Sequence, residues 1–131
     1  MIRLNEISHV RLAVTDMERA EHFYGEVLGL TLLDRSPDGK ELVYGMKNDQ
    51  HLLILHHSAT PHPRARFYHG PHVALETTEE DYERIASKLT NVEVYWGPDR
   101  HKTPWHERAT KTVYFFDPDN NRLQITPLGS H

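Results

Sequence analysis

The sequence predicts an α+β fold of two β-α-β-β-β modules whose curved sheets enclose a cavity. Two observations predict this class: short segments recur in the same order in both halves, and each half carries one capped amphipathic helix among strand-like segments. A chain of 131 residues can bury a core without disulfides. We therefore expect a single domain with module one at 7–57, a linker at 58–71 and module two at 72–127.

The repeat is visible in two pairs of segments. HVRLAVT from His9 and HVALETT from His72 share His, Val, Leu and Thr at an offset of 63 residues. VYGMKNDQHLLIL from Val43 and VYFFDPDNNRLQI from Val113 share Val-Tyr, an Asp and a Leu at an offset of 70. Because the offset grows by seven, the second copy has a longer loop, which we place at 98–111.

Each half contains one helix signal. Thr15 and Glu18 have the spacing of a capping box, and apolar residues follow on one face as far as the stop signal Gly29, which predicts a helix over 17–28. Thr77 begins a second capping box. The apolar face of that second helix comprises Tyr82, Ile85, Ala86 and Leu89.

The remaining segments have the alternation of strands. The predicted strands are 8–14, 31–34, 41–46, 52–56, 73–77, 92–95, 111–116 and 122–126. Alternate side chains of a strand lie on opposite sides of its sheet. Val10 and Leu12, with Val73, therefore face the helices, whereas His9 and His72 face the predicted cavity, together with Arg11, Ala13, Ala74 and Glu76.

The amino-acid composition limits the kinds of binding partner that we expect. The net charge is -4 and no Lys/Arg stripe stands out, so nucleic acid is not expected as a partner. No apolar run approaches the roughly 20 residues that cross a bilayer, so we expect no membrane insertion and a cytoplasmic location. The chain has no cysteine, which excludes thiolate chemistry, and eleven histidines, the commonest metal-ligating side chain. A small-molecule substrate is the predicted partner.

HVRLAVTDMERAEHFYGEVLGL, HVALET and YFFDPDNNRLQI together resemble the vicinal oxygen chelate superfamily over about 7–126. That group includes glyoxalase I, extradiol ring-cleaving dioxygenases, fosfomycin-modifying enzymes and bleomycin-binding proteins. The resemblance implies a divalent metal ion (Fe, Mn, Zn or Ni), a substrate chelated through neighbouring oxygens, and a homodimer.

The resemblance also implies metal ligands. They fall on His9, His72 and position 124, where the family pattern has glutamate and this chain has Gln124. The position of a fourth ligand falls on Ile54, which cannot ligate. A glutamine oxygen can bind a cation but brings no charge, so Gln124 is either a neutral ligand or a polar pocket residue of a protein without metal.

Other positions are candidates for chemistry or substrate contact. The loop histidine and strand tyrosine of the extradiol dioxygenases fall on His101 and Tyr114, the predicted acid/base residues. Arg11 could hold an anionic group and Glu76 could act as a base, or both could pair with other charges. The remaining predicted substrate contacts are Tyr44, Ile54, His56 and Phe116.

The sequence thus favours a metal-dependent enzyme, a dioxygenase, lyase or transferase, closest to extradiol or glyoxalase-type chemistry. Two alternatives stay open. One is a metal-free protein that binds a small molecule or antibiotic, and the other is a fosfomycin-modifying enzyme.

Overall fold

A computed structural model describes residues 1–60, 71–90, 105–107 and 111–127. The chain divides into two compact units, Met1–Pro61 and His62–His131, and the division falls in the stretch predicted as linker. Among the described residues, each unit has one four-stranded sheet and one helical segment, which confirms the α+β class. Within the described ranges, no helix is both long enough and apolar enough to span a membrane.

Module one follows the predicted order of elements. Its helix starts as the α-helix α1 and continues as a π-helical segment, and Gly29 ends it with a φ of 77°, in the left-handed region that favours glycine. The elements are β1 (His9–Val14), α1 (Met17–Glu21), the π-helical segment (His22–Val27), β2 (Thr31–Arg35), β3 (Glu41–Met46) and β4 (His51–His57).

Module two repeats this order with one difference in position. Its elements are β5 (Val73–Thr77), α2 (Glu79–Thr90), β6 (Trp105–Glu107), β7 (Thr112–Phe116) and β8 (Arg122–Pro127). Strand β6 lies in the stretch predicted as a long loop, so that part of the loop prediction is wrong. The strand predicted at 92–95 lies outside the described residues.

The two sheets have the same topology, as the internal repeat predicts. Their strand orders are β1-β4-β3-β2 and β5-β8-β7-β6, and in each the first strand runs parallel to the last while the other neighbours are antiparallel. A duplicated unit with one connection pattern explains this identity. The first strand of each module therefore lies beside its last strand, which carries Ile54 in module one and Gln124 in module two.

The helix caps lie one residue later than predicted. Asp16 caps α1, because its Oδ1 accepts a hydrogen bond from the Arg19 backbone N–H at 3.0 Å. In module two the Oγ1 of Thr78 accepts from the Asp81 N–H at 3.2 Å. The predicted caps at Thr15 and Thr77 are wrong, since the nearby Asp16 and Thr78 are equally good cap residues and spacing alone does not choose between neighbours.

The cap assignment for α1 is testable. We expect Asp16→Ala to lower the free energy of unfolding by about 1 kcal/mol, since it removes the acceptor for the Arg19 N–H. Thr15→Ala is the matched variant and should have a smaller effect. Urea unfolding followed by circular dichroism measures both, and a larger loss in Thr15→Ala would restore the original capping box.

The register of the two hairpins differs by one residue. Val43 pairs with Ile54, eleven positions on, whereas Tyr114 pairs with Gln124, ten positions on. Ile54 and Gln124 thus occupy equivalent places, as predicted, but the shared Val-Tyr pairs do not. Three consecutive left-handed residues build the longer turn of module one, Lys47, Asn48 and Asp49.

Candidate functional site

The candidate site lies on the far side of the module-two sheet, by which we mean the side turned away from the module's helix. Strand register places Ala74, Glu76, Tyr114 and Gln124 on this side. Val113, Phe115, Leu123 and Ile125 alternate with them on the other side and are at most 2% exposed, forming the core with α2. The apolar residues therefore fix which polar side chains face away from the helix.

A tight turn holds β8 beside β7. Asp117 is fully buried and its carboxylate accepts hydrogen bonds from the backbone N–H groups of Asp119 (2.9 Å) and Asn121 (2.8 Å) and from the Asn121 Nδ2 (2.8 Å). Asn120 has a φ of 69°, a region that asparagine tolerates better than most residues. The DPDNN sequence thereby sets the pairing that places Gln124 beside Tyr114.

A chain of three side chains crosses this face. The His72 Nε2 lies 2.9 Å from the Gln124 Oε1, and the Gln124 Nε2 donates to the Thr112 Oγ1 at 2.7 Å. The Thr112 hydroxyl in turn donates to the Ile125 carbonyl oxygen at 3.1 Å. The glutamine oxygen is therefore directed at the imidazole, and the glutamine nitrogen is directed away from it.

The two donor atoms have a separation that suits a metal ion. Two ligands bound at right angles about 2.1 Å from one ion lie about 3.0 Å apart, close to the 2.9 Å between the His72 Nε2 and Gln124 Oε1. Both are donors that divalent first-row metals accept. The two residues, which we call the His72–Gln124 pair, therefore fit as part of a metal site, with a net charge of zero.

One aromatic ring lies against the pair. The rings of His72 and Tyr114 meet edge to face, with centroids 5.8 Å apart and an interplanar angle of 76°. Such a contact limits the orientations open to the imidazole. Phe116 lies on the same side of β7 as Tyr114 and is 3% exposed. The predicted site residues Tyr114, Glu76 and Phe116 thus share one face with the His72–Gln124 pair.

Module one has a less polar centre on its far side. Arg11 and Ile54 are direct neighbours there, and Arg11 forms an ion pair with Glu41 at 3.0 Å. The Arg11 charge is thus paired within its own module, one of the two roles considered for it. The Nδ1 of His56 is buried and has no hydrogen-bond partner among the described residues. The Nδ1 of exposed His9 lies 2.9 Å from the Ser8 hydroxyl.

Tyr44 lies on the opposite side of its sheet from the one predicted. It pairs with Leu53, faces the helix, and packs against Tyr24 of the π-helical segment with ring centroids 6.2 Å apart. The prediction failed because the Val-Tyr match between modules is out of register by one residue, which reverses the side of a strand. Tyr44 instead lines a cavity of about 480 Å³ beside Glu21 and Arg35, on the helix side of the sheet.

His101, the predicted loop acid/base, lies outside the described residues. Within the described part of the chain, no group of three or more His, Cys, Asp or Glu side chains is placed to hold a metal ion.

Sequence reasoning missed Thr112, which anchors the Gln124 amide. The signal was present in the hairpin, because Thr112 lies opposite Thr126 and hence diagonal to Gln124 on the same face. Strand boundaries alone do not fix which residues of β7 and β8 lie opposite each other. The hydrogen bonds of the turn at Asp117 fix that register.

Comparison with known proteins decides the family. The model of the Glyoxalase/Bleomycin resistance protein/Dioxygenase superfamily matches residues 6–125. The chain belongs to this superfamily. Its membership confirms the predicted resemblance and agrees with the duplicated module seen in the two sheets.

Curated relatives and a solved structure extend the likeness. The chain is 28% identical to the glutathione transferase FosA of Serratia marcescens, over 93% of this chain and 80% of the relative. It is 29% identical to the lactoylglutathione lyase of Neisseria meningitidis, over 89% of this chain and 86% of the relative. A glyoxalase/dioxygenase structure from Nostoc punctiforme shows the same fold, with a TM-score of 0.71 and 24% identity over 93% of this chain and 90% of that chain.

Proposed function

We propose that this superfamily member is a divalent-metal-dependent enzyme acting on a small molecule that chelates through neighbouring oxygens. The observation that carries the proposal is the 2.9 Å approach of the His72 Nε2 and the Gln124 Oε1 on one sheet face. His72 and Gln124 would hold the ion, and His9 is the predicted third ligand. Bound there, the ion would supply Lewis-acid activation of a substrate oxygen.

The charge of the donor set favours one reaction type. Oxygen-activating iron usually has two histidines and one carboxylate, whereas His72 and Gln124 are both neutral when they donate. A site of neutral donors leaves the positive charge of the ion available to polarise a substrate. We therefore favour addition or isomerisation, the transferase and lyase chemistry named in the two curated relatives, over ring cleavage with dioxygen. Fosfomycin-type thiol addition and lactoylglutathione formation are the reactions to test first.

The residues around the pair have distinct proposed roles. Tyr114 orients the His72 ring through their edge contact and is the predicted proton donor or acceptor on this face. Phe116, also on this face, is buried and would limit access of water there. Glu76 lies on β5 two residues after Ala74, the strand neighbour of Gln124, where it is the candidate base.

A metal-free binding protein is the second candidate. The observation in its favour is that the His72 imidazole and the Gln124 amide already lie within hydrogen-bonding distance of each other. In such a contact the imidazole and the amide satisfy each other's hydrogen bond without an ion. In that case the two side chains would hold the face in shape for a small-molecule ligand.

Metal binding separates the two candidates. Purified protein is analysed for bound metal, stripped with a chelator, and titrated with Mn²⁺ and Zn²⁺ by calorimetry. We expect His72→Ala to weaken binding at least about tenfold and Gln124→Glu to tighten it by about tenfold, because a carboxylate adds a charge. His57→Ala is the control, since His57 is an exposed histidine at the end of β4.

The outcomes are distinct. Binding lost in His72→Ala and kept in His57→Ala supports the proposal. A native protein that takes up neither metal, or two histidine variants that bind alike, would overturn the enzyme proposal in favour of the binding protein. Turnover of fosfomycin with glutathione, or formation of lactoylglutathione, by the metal-loaded protein then identifies the reaction.

A further inference from the structure

We infer that Thr112 is a positioning residue that makes position 124 select glutamine over glutamate. The inference deepens the proposed function, because it explains the neutral donor in the proposed site, but the contacts that carry it lie within one module and involve no metal. They are the hydrogen bonds from the Gln124 Nε2 to the Thr112 Oγ1 (2.7 Å) and from the Thr112 Oγ1 to the Ile125 carbonyl (3.1 Å).

The proton of the Thr112 hydroxyl is the deciding feature. A hydroxyl has one proton to donate and two lone pairs to accept with. Because the proton goes to the Ile125 carbonyl, the hydroxyl presents only a lone pair toward residue 124. An amide N–H is matched to that lone pair, and a carboxylate oxygen is not.

Burial of the Thr112 hydroxyl prevents water from relieving this mismatch. Thr112 is 2% exposed and Ile125 is 2% exposed, so solvent does not reach the hydroxyl to supply another proton. A glutamate at 124 would either place its oxygen against the hydroxyl lone pair or turn the hydroxyl away from Ile125. Both arrangements lose one of the two hydrogen bonds of the buried Thr112 hydroxyl.

The same contact fixes the end of the amide that meets His72. With Nε2 held by Thr112, Oε1 is the atom left for the imidazole, and it accepts if His72 carries its proton on Nε2. Without the threonine hydroxyl, the amide can turn over and donate to the ring instead. In the metal-free chain Thr112 therefore controls both the residue type at 124 and the His72 tautomer opposite it, whereas an ion bound at the His72 Nε2 would require the ring proton on the Nδ1.

A double-mutant cycle in metal-free protein tests this role. Thr112→Val, Gln124→Glu and the double variant are compared with the parent chain by urea unfolding at neutral pH. We expect Gln124→Glu to lower the folding equilibrium constant by about tenfold when Thr112 is present and by at most about threefold in the Thr112→Val background. Thr112→Ser keeps the hydroxyl and should restore the larger preference for glutamine.

A matched threonine separates the role from loss of any buried hydroxyl. Thr126 is 5% exposed, lies on the same face, and its Oγ1 has no hydrogen-bond partner among the described residues. Thr126→Val should leave the folding equilibrium constant unchanged or raise it, whereas Thr112→Val should lower it by about tenfold. Equal losses in the two variants would remove the special role of Thr112.

The His72 tautomer gives a readout that a purely structural role would not move. In the parent chain we expect the ¹⁵N shift of the His72 Nε2 to be that of a protonated nitrogen, and in Thr112→Val to shift toward the unprotonated form. An unchanged shift, or an equal cost of Gln124→Glu in both backgrounds, overturns the inference. Because the cycle is measured without metal, a protein that binds no metal yet shows the coupling would contradict the enzyme proposal alone.

Discussion

Replacing Asp117 by alanine is expected to lower the free energy of unfolding by about 3–5 kcal/mol, because it removes the carboxylate that accepts three hydrogen bonds. The carboxylate is fully buried and accepts from two backbone N–H groups and the Asn121 side chain. Alanine cannot accept any of these bonds. Urea unfolding followed by tryptophan fluorescence and circular dichroism measures the loss.

The β2–β3 turn provides the control for this prediction. Asp38 also accepts turn hydrogen bonds, from the Ser36 hydroxyl at 2.7 Å and the Lys40 N–H at 3.0 Å, but it is exposed. Water can replace it, so Asp38→Ala should have a much smaller effect. Losses of similar size in the two variants would show that burial of the Asp117 network contributes little.

The Asp117 variant also tests how the fold supports the site. The turn sets the register between β7 and β8, and with it the contact of Gln124 with Thr112. If Asp117→Ala stays folded at low temperature, we expect the His72 Nε2 shift to change as it does in Thr112→Val. The site would then depend on the turn through strand register and not through any direct contact.

The architecture could be predicted from sequence because the same pattern of segments occurs in both halves of the chain. The paired histidine strands, the helix stop at Gly29 and the common order of elements all follow from local patterns. What failed was register at single-residue resolution. The cap of α1 is Asp16 and not Thr15, because both neighbours are residue types that cap helices. Tyr44 lies on the opposite side of its sheet from the predicted one, because a register shift of one residue reverses the side.

The site was predictable to a similar depth. The family resemblance assigned His72 and Gln124 to one site, and their side chains lie 2.9 Å apart. Sequence could not supply Thr112, because its role depends on where the hydroxyl proton goes, and that is set by the position of the Ile125 carbonyl. We infer that Gln124 belongs to a matched set of donor and acceptor groups.

Tyr44 leads to a second large effect, at high pH. Its side chain is fully buried and its hydroxyl has no hydrogen-bond partner among the described residues. Burial, aided by the negative charge of Glu21 and opposed by the positive charge of Arg35, raises the pKa of Tyr44 to about 12. Tyrosine in an unfolded chain has a pKa of about 10.

The folded chain therefore holds the phenolic proton over a pH range in which the unfolded chain releases it. Stability contributed by the neutral phenol is complete below pH about 10 and is lost as the pH rises toward 12, by roughly 2–3 kcal/mol in all. Tyr44→Phe has no proton to release, so its free energy of unfolding should fall less steeply over this range. At neutral pH the same variant should be more stable by about 1 kcal/mol, because an unsatisfied buried hydroxyl is removed.

Urea unfolding at several pH values from 8 to 11.5 measures the difference between Tyr44→Phe and the parent chain, which cancels the lysine titrations common to both. Tyr82→Phe is the comparison, since burial also raises the pKa of Tyr82, on α2. Tyr44→Phe should remove the larger part of the alkaline loss. Parallel pH profiles for Tyr44→Phe and the parent would mean that water reaches the Tyr44 hydroxyl through the adjacent cavity, and that the charge pair of Glu21 and Arg35 does not seal it.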